Sequence, residues 1–403
     1  MKVEFNFVLI TMRSIHIIFL LLLHNSGAAL TGITEKRSNR APSSEVINYY
    51  FEHGFNKTLK GLFLKAAKAW ENYTCVRFEE KRVWNAIEVE ERGGRDCLYS
   101  GKPGELQSLS VDCGYFGGAA HEVGHALGLI HTHSRKDRDA YLIMEWDNIE
   151  KEYRENYKEY LENKRDSVVK ELIERYKKEY GKKESDHHGV PYDYGSIMHY
   201  GTADKNPPMT PTNSNYKRTM GSQFISFTDL LEVNKRHDCL GKCPDDPKTA
   251  TCEHQGFPNP KNCSVCVCPG GYGGRSCGDR PGDCGQELLA QDYWQPMVLN
   301  ISSPQNSSEY FVCTSWIKSA PKKTIEVEIE SISDDLKTYG CGYAAVEIKS
   351  QDDQRLTGYR FCSEDDKGIL LKSNRTPVPI ITYSMTTAPL HVTLKYRSVP
   401  TKG

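Results

Sequence analysis

Fourteen cysteines, arranged in three unlike patterns, constrain this chain more than any other feature. Cys75, Cys97, Cys113 and Cys239 are spread over a long stretch of ordinary globular composition. Cys243, Cys252, Cys263, Cys266, Cys268 and Cys277 then crowd together among Gly, Pro and Asn. Cys284, Cys313, Cys341 and Cys362 are widely spaced again. The middle segment is too small to bury a sufficient core, so disulfides have to hold it. An even count with close spacings points to an oxidising compartment. A chain of 403 residues is more than one ordinary domain, and two or three are expected.

The N-terminus agrees with that compartment. Lys2 and Arg13 precede an apolar run from Ile15 to Leu23, followed by the small residues Ser26-Gly27-Ala28-Ala29. This reads as a signal peptide over 1–29, cut near Ala28 or Ala29. A membrane anchor is the alternative, but the run falls short of the roughly 20 apolar residues a span needs. Six Asn-x-Ser/Thr triplets, at Asn56, Asn72, Asn262, Asn300, Asn306 and Asn374, suit secretion and glycosylation. A formal net charge of −1 gives no global reason to expect nucleic acid or an acidic membrane surface as partner.

Residues 30–40 read as a short pro-region or linker, with Lys36-Arg37 and Arg40 as candidate cleavage points. From Leu59 to Trp70 the apolar residues Leu62, Phe63, Ala66, Ala67 and Trp70 recur at helical spacing. Cys75 to Phe78 and Ile87 to Val89 read as strands, which gives a mixed α and β domain. Ile149 to Gly181 is dense in charge, with Tyr153, Tyr157, Tyr160, Leu161, Leu172, Tyr176 and Tyr180 at helical spacing. One or two amphipathic helices are expected there, either a solvated face packed by its tyrosines or an element that gates substrate. After Cys284, the stretches 309–312, 325–329, 345–348 and 390–394 alternate as strands do and argue an antiparallel β-sandwich.

The chemistry lies in His121-Glu122-Val123-Gly124-His125-Ala126-Leu127-Gly128-Leu129-Ile130-His131. Two histidines four apart fall on one helix face, so both imidazoles reach one ion. Gly128 tolerates a positive φ and lets the chain leave the helix sharply, bringing His131 in from another side. Three histidines leave an open position, as a catalytic zinc requires. Such an ion lowers the pKa of a coordinated water toward about 7, and Glu122 is placed to act as the general base. The longer pattern is a known motif class.

The segment His121 to Asp139 resembles the signature of the astacin family of metzincin metalloproteases. Tyr192-Asp193-Tyr194-Gly195-Ser196-Ile197-Met198-His199-Tyr200 resembles the same family's Met-turn. The resemblance implies that Met198 forms an apolar floor beneath zinc. It also implies that Tyr200 is a further ligand, able to swing away and hydrogen-bond the transition-state oxyanion. It covers roughly Ser44 to Leu240 and implies the pairs Cys75–Cys239 and Cys97–Cys113. Cys243 to Cys277 resembles an EGF-like module, although the gap between Cys263 and Cys266 is short and leaves its pairing open. The last four cysteines resemble those of a CUB domain, which implies the pairs 284–313 and 341–362. This order of parts is similar to the nematode branch of the family.

Three departures stand out. Thr132 follows the third histidine where the family has Glu, the residue that helps anchor the N-terminus after activation. No Asp precedes Asp96, so the family's usual propeptide switch is missing and the N-terminal strand looks short. The charged helix is longer than the family norm and lies between the two zinc-ligand motifs. Ala344 stands where calcium-binding CUB domains carry Asp, so zinc alone, one per chain, is expected.

The sequence thus predicts an α+β zinc metalloprotease with two subdomains around a cleft (41–240), an EGF-like module (241–279) and a CUB β-sandwich (284–397). The expected function is a secreted endopeptidase, made as a zymogen, that cleaves extracellular proteins by Glu122-assisted attack of zinc-bound water. The alternative is a weak or inactive secreted binding or matrix protein acting through its EGF-like and CUB parts, which are candidate sites for protein partners.

Overall fold

Asn56 caps the first long helix, its side-chain oxygen accepting from the N–H groups of Thr58 and Leu59 at 2.8 and 3.2 Å. That helix, α1 (Lys57–Glu71), follows strand β1 (Val46–Phe51) and turns Phe63, Ala66, Ala67 and Trp70 into the core. The computed structural model describes residues 45–244, 246–305 and 309–401. The expected signal peptide, the pro-region with Lys36, Arg37 and Arg40, and the triplet at Asn306 lie outside those residues. The other five triplet asparagines are exposed.

Four further strands complete the first sheet: β2 (Arg77–Glu80), β3 (Ile87–Val89), β4 (Cys97–Ser100) and β5 (Gln107–Val111). The order is β2-β1-β3-β5-β4, parallel except for β4 against β5. The N-terminal strand, expected to be short, is an inner strand paired on both sides. Cys75 and Val76 are not part of the ladder, because the Cys75 N–H points at Cys239 Sγ. Helix α2 (Phe116–Ala126) packs on this sheet beside α1, and the Trp70 indole donates to the Ala120 carbonyl at 3.0 Å.

The second half of this region carries β6 (Leu142–Met144), α3 (Trp146–Asn156), α4 (Lys158–Leu161), α5 (Asp166–Glu179), β7 (Met209–Pro211) and α6 (Phe227–Arg236). The charged segment is therefore three helical pieces. Tyr157 ends α3 with non-helical backbone, which resets the phase. Tyr160, expected in the tyrosine stripe, consequently faces solvent, while Tyr153, Val169 and Ile173 form the buried contact between α3 and α5.

The crowded cysteines pair 243–263, 252–266 and 268–277 around the small hairpin β8 (Phe257–Asn259) and β9 (Asn262–Val267). The hairpin is no free bead, because Phe257 and Val267 join the same apolar cluster as Trp70 and Leu230. Beyond it, β10 (Glu287–Leu289), β11 (Gln295–Ile301), β12 (Phe311–Lys318), β13 (Lys323–Ile332), β14 (Ala344–Ile348), β15 (Tyr359–Phe361), β16 (Leu370–Ser373), β17 (Val378–Ser384) and β18 (Leu390–Pro400) build two facing sheets. Their orders are β10-β12-β17-β14-β15 and β11-β18-β13-β16. All pairs are antiparallel except β10 on β12, an edge pairing the alternation did not disclose. The last strand runs three residues past 397, to Pro400. Cys75–Cys239 closes the first region over 164 residues, for which a chain-entropy model gives roughly 5 kcal/mol. Cys97–Cys113, Cys284–Cys313 and Cys341–Cys362 complete the set, and no cysteine is free.

Candidate metal centre

Helix α2 is built for close approach. A Cβ on Gly124 would meet Met198 Sδ at 2.7 Å and the Trp70 ring at 3.3 Å, so only glycine lets the 193–200 turn pack beneath the helix. The helix ends after Ala126, and Gly128 adopts φ +88°. The chain then doubles back, with the Leu129 N–H on the Gly124 carbonyl at 3.0 Å, and delivers His131.

His121 Nε2 and His125 Nε2 lie 3.1 and 3.0 Å from His131 Nε2, and the three ligand atoms all fall within 4.8 Å of one another. His121 Nδ1 donates to the Ile197 carbonyl at 2.7 Å, and His125 Nδ1 to the Leu129 carbonyl at 2.8 Å. A carbonyl accepts only, so these bonds place the proton on Nδ1 and leave the Nε2 lone pair facing inward. The Nε2 lone pairs of His121 and His125 therefore converge on His131 Nε2, and a cation among the three nitrogens would draw a lone pair from each. Burial also holds all three below their ordinary pKa, His125 to about 3, with His121 adding to the effect there. The donor set and the carbonyls that orient it fit a zinc ion.

Glu122 is 8% exposed, and burial pushes its carboxyl up to about 8, against a hydrogen bond from the Tyr99 backbone. A dication next to it would act the opposite way. Its charge bears on Tyr115 and Tyr200. The Tyr200 ring lies 4.4 Å from that of His131 and 4.2 Å from that of His133, and burial raises its hydroxyl pKa well above the ordinary value. Met198 is buried under α2.

The structure adds residues that spacing did not reveal. Thr132, the departure from the family, donates its hydroxyl to Ser196 Oγ at 2.9 Å, and Ser196 donates to Asp229 Oδ1 at 2.5 Å. Its N–H donates to the Met198 carbonyl at 2.9 Å. Thr132 therefore ties the third-histidine loop to the turn from inside. Asp229 also accepts from the N–H groups of Ile197 and Ser226 at 2.9 and 2.8 Å and caps α6 in a reciprocal box. The Ser226/Asp229 pattern was open to a capping reading in the sequence; the link to Thr132 was not.

The charged helices do reach the centre. Tyr180, just past α5, lies 6.0 Å from the Tyr200 ring, and the Lys183 N–H donates to the Ser134 carbonyl at 2.7 Å. Buried Arg138 holds the His133 carbonyl at 2.9 Å and reaches the Tyr180 carbonyl as well. No helix among the described residues is long and apolar enough to cross a membrane.

The sequence matches the family model described as Astacin (peptidase family M12A) over residues 34–170 and 158–238. It is 34% identical over 363 residues to "Zinc metalloproteinase nas-31" of Caenorhabditis elegans, covering 88% of this chain and 55% of that protein. It is also 34% identical to "Zinc metalloproteinase nas-17" of the same organism, covering 86% of this chain and 78% of that one. Among solved structures, High choriolytic enzyme 1, a hatching enzyme zinc-protease from Oryzias latipes, is 27% identical. That match covers 48% of this chain and 89% of the other, at a TM-score of 0.38.

Proposed function

Because the chain belongs to the astacin family of zinc metallopeptidases, we propose that it is a secreted endopeptidase of extracellular proteins, with Glu122 as its base. The observation that carries this reading is the convergence of three Nε2 atoms, with the Nδ1 protons of His121 and His125 already committed to carbonyls. His121, His125 and His131 hold the ion. When bound, zinc supplies Lewis acidity, polarising the scissile carbonyl and making water acidic near neutral pH.

The chain's own residues do the rest. Glu122 takes the proton of the attacking water and returns it to the leaving amine, so its low exposure keeps the proton from bulk solvent. Tyr200, packed on the His131 ring, is the residue whose hydroxyl would stabilise the developing oxyanion or close the ligand set. Met198 and Gly124 fix the floor. Seven disulfides with no free cysteine support an extracellular setting. An inactive binding protein would lack a ligand or the base, and this chain keeps all of them.

The test is peptide cleavage by the secreted protein before and after chelation, beside Glu122→Gln. Cleavage should be chelator-sensitive, and the variant should retain zinc while losing roughly 10²–10⁴-fold in turnover. Wild-type turnover in Glu122→Gln would remove Glu122 from the role of base.

A further inference from the structure

The β-sandwich enters the polar shell behind the metal site at one buried point. Asp193, 2% exposed, opens the turn that ends at Tyr200. Its Oδ1 accepts the Gly195 N–H at 2.9 Å and its Oδ2 accepts Thr228 Oγ1 at 2.8 Å. The remaining donors come from the sandwich. Thr357 Oγ1 donates to Oδ2 at 3.0 Å, and the Thr357 N–H is shared between the two oxygens at 3.2 and 3.3 Å. Gly195 makes room for this contact, since a Cβ there would sit 2.3–2.4 Å from the Thr357 side chain.

The surrounding seam is of the same kind. Thr219 Oγ1 donates to the Gly358 carbonyl at 3.3 Å, and Arg360, buried and paired with Glu347 at 2.9 Å, donates to Ser222 Oγ at 2.8 Å. Arg218, 6% exposed at its side chain, pairs with Asp366 at 3.1 Å. A Cβ on Gly340 would lie 2.1 Å from the Gly221 carbonyl oxygen. Buried pairs and glycine-to-backbone contacts do not tolerate sliding, because parting the surfaces would strand charged groups. The sandwich is thus fixed against the protease, not hung from it.

From Asp193 the chain leads directly to the ligands. Gly195, held by Asp193, precedes Ser196; the next carbonyl, Ile197, receives the His121 Nδ1 proton, and the Met198 carbonyl receives the Thr132 N–H. We propose that Thr357, on the β-sandwich, is a positioning residue for the metal centre, locking Asp193 and hence the turn that orients His121 and the loop after His131. Thr357 touches neither ligand nor substrate and acts only through Asp193.

The inference rests on the zinc reading, and its test separates the two. Zinc affinity of the full-length protein is measured by competition with a chromophoric chelator, alongside kcat, KM and thermal unfolding. Thr357→Val keeps the branched shape and the N–H but removes the hydroxyl donor. It should bind zinc about tenfold more weakly, the lower end expected when a ligand's outer partners are disturbed. Its kcat should fall several-fold with KM unchanged. Thr357→Ser should restore both, and Thr357→Ala, which needs less space, should behave as Val does. Tyr359→Phe removes a different bond at the same seam, from Asn213 Nδ2 at 3.1 Å, and should leave zinc affinity intact. Unchanged zinc affinity in the Val and Ala variants would overturn the proposal, even if they melt earlier. Equal weakening in Tyr359→Phe would overturn it too. Wild-type protein that binds no zinc would instead overturn the metal reading itself.

Discussion

At the histidine centre, the Nε2 lone pairs of His121 and His125 meet His131 Nε2 at 3.1 and 3.0 Å. At the seam, Asp193 is 2% exposed, and its carboxylate is met by donors from Gly195, Thr228 and Thr357. Both clusters are polar, and both would be costly if left as bare groups in an apolar interior. The difference lies in what completes them. The Asp193 carboxylate is satisfied by the chain itself and needs nothing from outside. The centre directs the lone pairs of His121 and His125 at His131 Nε2, where a cation would complete the set. Buried polar groups that the fold has satisfied hold structure together, whereas convergent unsatisfied ones mark a binding site.

That contrast can be broken at the seam first. Asp193→Asn turns one acceptor into a donor facing Thr228 and Thr357, which already donate. It should destabilise the full-length protein by roughly 1–3 kcal/mol, read as a lower denaturant midpoint. An unchanged midpoint would mean that the seam is not closed as described.

A smaller effect should come from acid. Burial opposes the charge of Glu347, but Arg360 and Lys349 outweigh it and hold the carboxyl below its ordinary 4.5. Below that ordinary value the unfolded chain takes up the proton first, so stability falls as pH drops. The Glu347 contribution is full above pH 4.5 and fades as pH falls through the lower folded value. Glu347→Gln should flatten this part of the stability profile, and a slope equal to wild type would contradict the buried pairing.

Local spacing made the centre legible. His121, Glu122, His125, Gly128 and His131 lie within one helix and its turn, where the 3.6-residue period and a single positive φ dictate direction. The 192–200 segment became legible only through its resemblance to a known motif, because nothing in the spacing places Met198 under Gly124. The seam was invisible for a physical reason. Asp193 and Thr357 are 164 residues apart, and a lone threonine before a glycine has no pattern of its own. Tyr160 was misplaced because a periodic stripe assumes an unbroken helix, and Tyr157 breaks it. Thr132, which reads as a lost anchor, is a hydrogen-bonding partner within the turn.

The central claim is that the three histidines form one zinc site, and zinc titration of metal-stripped full-length protein beside His125→Ala tests it most directly. The account predicts one zinc per chain in the wild type and none in the variant over the same range. No stoichiometric zinc in the wild type, or equal filling of His125→Ala, would contradict it.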